Sequence, residues 1–401
     1  MISNKAKDLH FSSLIIDTHS DSLGRIVDDG EDLGTNTSKG HMDLPRMKLG
    51  NQNAQFFAAF VDSERFKVNE AVNRANQYFD AFDNLCLKYP NDIIQARSAT
   101  DVKNITDQGK IAGLLCVEGG HAINDSLDIL KMFYSRGVRY MTLTHNMSNN
   151  WADGIQDESG IEAIIDWNRS KVIHEKNGWI KYHTKHNGLT HFGTEVIKEM
   201  NNLGMIIDIS HVARKTFWDV IEITNKPIMA SHSSAYAISK NPRNIDDEQL
   251  IALAKNNGVV SVNYEVTFVS NKCNLETRKI DIWKKNEINN IESKYQIGSQ
   301  EYINNIEAIK NEYNKRSEPL LKQPIYTEII DHIDHMVNIA GINHVGLGSD
   351  FDGSRTPTGM EDCSKIPLIT EEMINRGYSD KDIQKILGLN VLRVLEEVVG
   401  E

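Results

Sequence analysis

The sequence predicts an α/β chain closed as a (β/α)8 barrel, and two observations carry that expectation. Eight short apolar or β-branched runs alternate with segments of helical or looped character, and most runs end in a residue of metal-ligand or acid–base type. The runs are Leu14 to Asp17, Ala54 to Val61, Ile111 to Val117, Val138 to Thr144, Met205 to Ile209, Pro227 to Ala230, Val259 to Asn263 and His344 to Gly348. Several are apolar on both faces, as strands buried in a parallel sheet between helices must be. An open doubly wound sheet is the competitor. No Gly-x-Gly-x-x-Gly follows the first run, however, and the chemistry-bearing residues are spread over too many strands.

Run one leads into Ile16-Asp17-Thr18-His19-Ser20-Asp21, where strand alternation puts His19 and Asp21 on one side, at the end where the chain leaves the sheet. Run three ends in Glu118 before Gly119-Gly120, and run four leads to His145. Run five leads to Ser210-His211, run six to Ser231-His232, and run eight to Ser349-Asp350-Phe351-Asp352-Gly353. Taken singly, each is an ordinary polar strand end. Six of eight at equivalent positions point to one site at the carboxyl ends of a barrel. Between the runs, Phe192 to Leu203 and Thr216 to Thr224 carry amphipathic helical patterns, with Gly204 placed as a terminator.

The 401 residues, 40% hydrophobic and 25% charged, have the balance of a soluble globular chain. A net charge of -12 offers no basic field for phosphates, which argues against a nucleic-acid partner. Cys86, Cys116, Cys273 and Cys363 lie far apart and read as free thiols. No run approaches membrane-spanning length, so a soluble protein with no membrane span is expected, and its compartment stays open.

The residue types make chemical sense together. His19, His211, His232, Asp21 and Glu118 suffice for two zinc-like ions, and Glu118, on a central strand, is the natural bridge because each carboxylate oxygen can take a different metal. Water shared by two such ions is acidified towards neutral pH and becomes a nucleophile. A carboxylate outside the metal shell must then move the proton, and Asp350 suits that role.

These segments, with Thr142-Leu143-Thr144-His145-Asn146, Trp151-Ala152-Asp153, Gly188-Leu189-Thr190, Phe192-Gly193, Asp208-Ile209-Ser210-His211-Val212 and Ser231-His232-Ser233-Ser234-Ala235, resemble the renal (membrane) dipeptidase family of zinc peptidases. The ordered match runs from about residue 14 to 270 and resumes from about 327 to the C-terminus. The resemblance implies an amidohydrolase-type TIM barrel over residues 1–401 with two Zn2+ per chain. It assigns His19 and Asp21 to the first ion, His211 and His232 to the second, and Glu118 to both. It also implies that His145 polarises the substrate carbonyl or holds the oxyanion, and that Asp350 passes a proton to the leaving amine. Arg243, in Asn241-Pro242-Arg243-Asn244-Ile245, matches the arginine that receives the substrate's terminal carboxylate, a role suited to its planar fork. A small dipeptide substrate, a D-residue accepted at its second position, and a homodimer are further implications.

The departures are specific. Asn150 stands where the family often has proline, and Met147 stands where animal members have a cysteine, so their disulfide there cannot form. Residues 274–322 have no counterpart and read as two charged helices inserted after the seventh strand, either a solvated hairpin or a cover for the pocket mouth or a second subunit. His332 and His335, on a helix before the eighth strand, are expected on its outward polar face. His183, His186 and His191 fall in a polar connection, and Trp179 to Asn187 is a candidate loop near the site. His121 is a candidate for supporting the bridge, and Asp17 and Asp208 are candidates to orient ligand histidines or to cap hydrogen bonds inside the barrel. The sequence therefore predicts a zinc-dependent dipeptidase. The alternatives are another amide or ester hydrolase on the same barrel, such as an N-acyl amino acid deacylase or a lactonase, and a binding module that has lost its chemistry. A metal-dependent phosphoesterase fits the acidic chain less well.

Overall fold

Alternation along the apolar runs sorts their side chains into two layers, and that sorting closes the sheet. The computed structural model of the chain describes residues 2–63, 65–66, 69–155 and 185–400. Among them, nine parallel strands occur: β1 (Ile16–Ser20), β2 (Ala54–Phe60), β3 (Ile93–Gln95), β4 (Ile111–Glu118), β5 (Val138–Thr142), β6 (Ile206–Asp208), β7 (Met229–Ala230), β8 (Val259–Val262) and β9 (Val345–Leu347). The order β2-β1-β9-β8-β7-β6-β5-β4 returns on itself, because β2 pairs with β4 from Ala54 opposite Ala112 to Phe60 opposite Glu118. The predicted runs are the eight strands of this closed barrel. β1 extends beyond its predicted end to include His19, and β3, which the sequence reading missed, lies outside the ring beside the first residues of β4.

Phe56, Leu114, Cys116, Tyr140, Ile206, Met229 and Val259 form an apolar floor together with Val391, Val394 and Leu395 of the helix Asn390–Val399. Their chain neighbours Phe57, Leu115, Val117, Met141, Ile207 and Val260 belong to the larger cluster beneath the surrounding helices. Two residues further along five of these strands come Glu118, Thr142, Asp208, Ser231 and Ser261, all buried, so a polar layer rests on the apolar floor. The connecting helices follow the usual start and stop chemistry. The helix His191–Leu203 is capped by Thr190, whose hydroxyl accepts from the Gly193 N–H, and it ends at Gly204 in a left-handed conformation (φ 75°).

After β8 comes a short helix, Val266–Val269, and then the long helices Asn271–Glu292 and Gln300–Leu321. The long pair is held by the Arg316 guanidinium 4.0 Å from the Trp283 ring centre and by a 2.9 Å hydrogen bond from the Tyr313 hydroxyl to Asp281. Residues 292–298 at the far end are exposed. At the root, the Glu265 carboxylate accepts from the Arg355 N–H at 2.7 Å, and the Arg355 carbonyl accepts from the Val266 N–H at 2.9 Å.

His332 corrects the expected outward orientation. In the helix Thr327–Ala340 the buried stripe is Ile329, Ile330, Ile333 and Met336, and His332 falls within it at helical spacing. Its Nδ1 accepts from the Ala235 N–H at 2.8 Å and its Nε2–H donates to the Val269 carbonyl at 2.9 Å, which satisfies the neutral ring. His335 is half-buried and meets Asp247 at 2.7 Å. Burial lowers the His332 pKa from 6.5 to about 4. The unfolded chain therefore binds more protons than the folded one between those values, and stability falls as the pH drops through the window, by about 3 kcal/mol at its lower edge. Above about pH 6.5 this contribution vanishes. Denaturant titrations of His332→Gln from pH 7.5 to 4 should show lower stability at neutral pH and a shallower acid decline than the parent chain; parallel declines would refute the assignment.

Candidate active site and metal centre

The carboxyl ends of the strands bring the ligand-type residues together. Glu118 closes β4, His19 lies in β1 with Asp21 just beyond it, and His211, His232 and Asp350 follow β6, β7 and β9. Gly119, at φ 102°, turns the chain away immediately after Glu118, where a side chain would strike the His121 ring. His211 and Asp350 adopt left-handed backbone conformations (φ 69° and 61°), a cost that non-glycine residues bear mainly at functional sites.

Glu118 stands between two groups of nitrogens. Its Oε2 lies 3.4 Å from His19 Nε2, while its Oε1 lies 2.9 Å from His211 Nε2 and 3.3 Å from His232 Nε2. Asp21 is 3.8 Å from His19 Nε2. The far nitrogen of each imidazole is tied down. His19 Nδ1 is 2.7 Å from the Tyr140 hydroxyl, whose own proton goes to the Thr18 carbonyl at 2.8 Å, so the hydroxyl must accept and His19 carries its proton on Nδ1. His211 Nδ1 meets Asn146 Oδ1 at 2.7 Å, and His232 Nδ1 meets Ser231 Oγ at 2.7 Å. The Nε2 lone pairs are thereby directed to the centre.

Three observations fit a divalent cation. His19 Nε2 and Asp21 Oδ1 are buried without a hydrogen-bond partner among the described residues. The Nε2 atoms of His211 and His232 face each other at 2.8 Å, a contact between two acceptors that a shared cation would relieve. The charges are also unbalanced: burial opposes a second proton on His19, but Glu118, then Asp21 and Asp350, outweigh it and raise the group to about 10, so a proton takes the Nε2 position where a cation would otherwise balance the carboxylates. Burial lowers His211 and His232 well below their ordinary value, which keeps both rings neutral as ligation requires. The combined imidazole and carboxylate donors are those a zinc-like ion prefers.

Asp21, Glu118, His145, His211 and Asp350 open onto a cavity of about 640 Å3 that is also walled by Phe60, Tyr78 and Phe268. The His145 ring lies 4.5 Å from that of His211 and 4.8 Å from Phe60, and burial lowers its pKa. Asn263 donates to Asp350 Oδ2 at 2.9 Å, while burial, opposed by His19 and reinforced by Glu118, raises Asp350 to about 7. Arg243 is buried. Its guanidinium donates to Ser233 Oγ at 2.9 Å and to the His232 carbonyl at 3.0 Å, and its Nε has no partner among the described residues. The structure thus gathers every predicted ligand and acid–base residue at one end of the barrel and seats Arg243 beside the His211–His232 pair.

The family model for membrane dipeptidases, peptidase family M19, matches residues 3–400. The chain belongs to this family. A dipeptidase of Claviceps purpurea (strain 20.1), tcpJ, is 30% identical over 367 residues, covering 90% of this chain and 69% of that protein. The crystal structure of the probable dipeptidase PvdM from Pseudomonas aeruginosa is similar at 26% identity with a TM-score of 0.79, over 98% of this chain and 97% of that one. A metallopeptidase from Rhodobacter sphaeroides, crystallised with a phosphinate mimic of the dipeptide L-Ala-D-Ala, shares the fold at 22% identity and a TM-score of 0.74, over 96% and 99% of the two chains. The protein is accordingly a metallopeptidase of the dipeptidase type, with a candidate metal-binding cluster that includes His19, Glu118 and His232. No helix among the described residues is long and apolar enough to cross a membrane.

In this dipeptidase the sequence reading overlooked the anchors Tyr140, Asn146 and Ser231. The signal for Tyr140 was available, because it stands two residues before Thr142 on the inward face of a predicted strand, where a buried hydroxyl needs a partner. Asp208 does cap hydrogen bonds inside the barrel, and Asp17 accepts from the N–H groups of His19 (3.0 Å) and Ser349 (3.1 Å). His121 lines a separate cavity of about 180 Å3 with Asn124, Asp125 and Met147. His186 bonds Asn149 and Asp153, and His191 opens a helix with its side chain exposed. His183, with the rest of 179–184, lies outside the described residues.

Proposed function

We propose that the chain hydrolyses the peptide bond of a dipeptide bearing a free terminal carboxylate, with two zinc ions held by His19 and Asp21 on one side, His211 and His232 on the other, and Glu118 between them. The observation that carries this reading is the division of the Glu118 oxygens, Oε2 towards His19 and Oε1 towards His211 and His232. When bound, such cations supply Lewis acidity to the scissile carbonyl and lower the pKa of attacking water. The chain's own residues do the rest. Arg243 receives the substrate carboxylate through its fork, His145 donates to the carbonyl oxygen as negative charge develops there, and Asp350 carries the proton from water to the leaving amine. Asn263 holds one oxygen of Asp350 and leaves the other for that transfer. The walls Phe60, Tyr78 and Phe268 exclude water around the substrate side chains.

Elemental analysis of the purified chain, paired with release of free amino acids from L,L- and L,D-dipeptides before and after chelation, tests the proposal. Two zinc per chain and chelator-sensitive cleavage are expected, with the L,D substrates cleaved. Metal without dipeptide cleavage would transfer the site to another amide or ester hydrolase, and failure to take up zinc at all would end the catalytic reading.

A further inference from the structure

We propose that Asp208, acting through Ser231, is a positioning residue that fixes the tautomer of His232 and so keeps its Nε2 free for a metal. The inference rests on the assignment of His232 as a ligand. Four donors converge on the Asp208 carboxylate. Oδ1 accepts from the N–H groups of Ser210 (3.0 Å) and Ser231 (2.8 Å), and Oδ2 accepts from the hydroxyls of Thr142 (2.6 Å) and Ser231 (2.6 Å). The short Ser231 contact is that of a hydroxyl donating to a charged oxygen. Ser231 has one proton, and Asp208 Oδ2 at 2.6 Å takes it ahead of Ser210 Oγ at 3.4 Å. Towards His232 Nδ1, 2.7 Å away, the hydroxyl can only accept, so the imidazole proton sits on Nδ1 and the lone pair of Nε2 faces Glu118 and His211. Asp208, Ser210, Thr142, Ser231 and His232 are all fully or almost fully buried, so water does not offer the ring another partner. The neighbouring histidine differs: the Nδ1 of His211 is anchored by Asn146, which lines the cavity, and not by a serine bonded to Asp208.

The polarity of this chain can be reversed without changing its shape. In Asp208→Asn the two backbone N–H donors require the amide oxygen at the Oδ1 position, which forces the NH2 group towards Ser231. The serine then accepts from the amide and turns its proton to His232 Nδ1 at 2.7 Å in preference to Ser210 Oγ at 3.4 Å, and the ring proton moves to Nε2, the atom that would bind metal. In metal-free protein carrying 15N-labelled histidine, His232 is expected to give the Nδ1–H pattern in the parent chain and the Nε2–H pattern in Asp208→Asn. Zinc affinity, measured by competition with a chromophoric chelator, should weaken about 10- to 100-fold, as for other residues that support a metal ligand from behind. Ser231→Ala removes the acceptor and should leave His232 as a mixture of tautomers with weakened zinc binding. A folded Asp208→Asn protein that keeps Nδ1–H and the parent affinity would overturn the inference. Should that variant not fold, Ser231→Ala with an unchanged tautomer and affinity would do the same. If the parent chain binds no zinc, the ligand assignment fails, while the metal-free spectra still decide whether Asp208 sets the tautomer.

Discussion

Glu118→Gln is expected to lower dipeptide kcat/KM by at least about a thousandfold, roughly 4 kcal/mol of transition-state stabilisation, and to leave the chain with one zinc or none. The substitution preserves volume on an almost fully buried side chain, so the core beneath it is not disturbed. What changes is charge and donor sense. One of the two oxygens that face His19 and the His211–His232 pair becomes an NH2 group, which repels a cation and cannot ligate it. Circular dichroism and a thermal melt should report a folded barrel, while metal analysis and turnover report the loss. Retention of both zinc ions and of activity would remove Glu118 from the centre.

Arg243→Met should reduce kcat/KM for a dipeptide by about a hundredfold, near 3 kcal/mol, mostly through KM, as expected for losing a buried charge partner. The same variant should lose much less on an ester or amide analogue without the terminal carboxylate. This ratio isolates carboxylate recognition from the structural service Arg243 gives to Ser233 and the His232 carbonyl, since damage to that support would harm both substrates alike. Arg243→Lys keeps the charge but not the fork and should fall between. Equal losses on both substrates would show that Arg243 holds up the site without reading the substrate.

Much of this architecture was legible in the sequence because barrel strands are buried on both faces and leave continuous apolar runs, while ligands gather where those runs stop. β3 escaped notice because Ile93–Gln95 is too short to show a period, and its place outside the ring is set by contact with β4. His332 was misjudged because its charge type was weighed above its spacing from Ile329 and Met336, which puts it on the buried face. The ligand set could be read from residue type and position, whereas for Tyr140 only the need for a partner was legible. The buried hydroxyl signals that need, but His19, which it meets, lies on a strand 121 positions earlier, and no local pattern names it. Arg243 is a further case. In the sequence it is a loop cation; in the fold it is a buried fork on a loop held by Asp246, which caps the following helix Asp247–Lys255, and by Asn244, which is bonded to the Ser239 and Phe268 carbonyls.

The ring of side chains at the top of the barrel also bears on mechanics. Like the staves of a cask, β1, β4, β6, β7 and β9 each lead to one or more of the converging groups His19, Asp21, Glu118, His211, His232 and Asp350. A cation gripped there would act as a hoop, binding staves that are remote in sequence, and its affinity would enter the unfolding free energy of the whole barrel. A metal present at a hundred times its dissociation constant adds about 2.7 kcal/mol to the folded state. Metal scarcity would then silence the enzyme and loosen its scaffold together, so the melting temperature of the chain should track the free metal concentration in its surroundings.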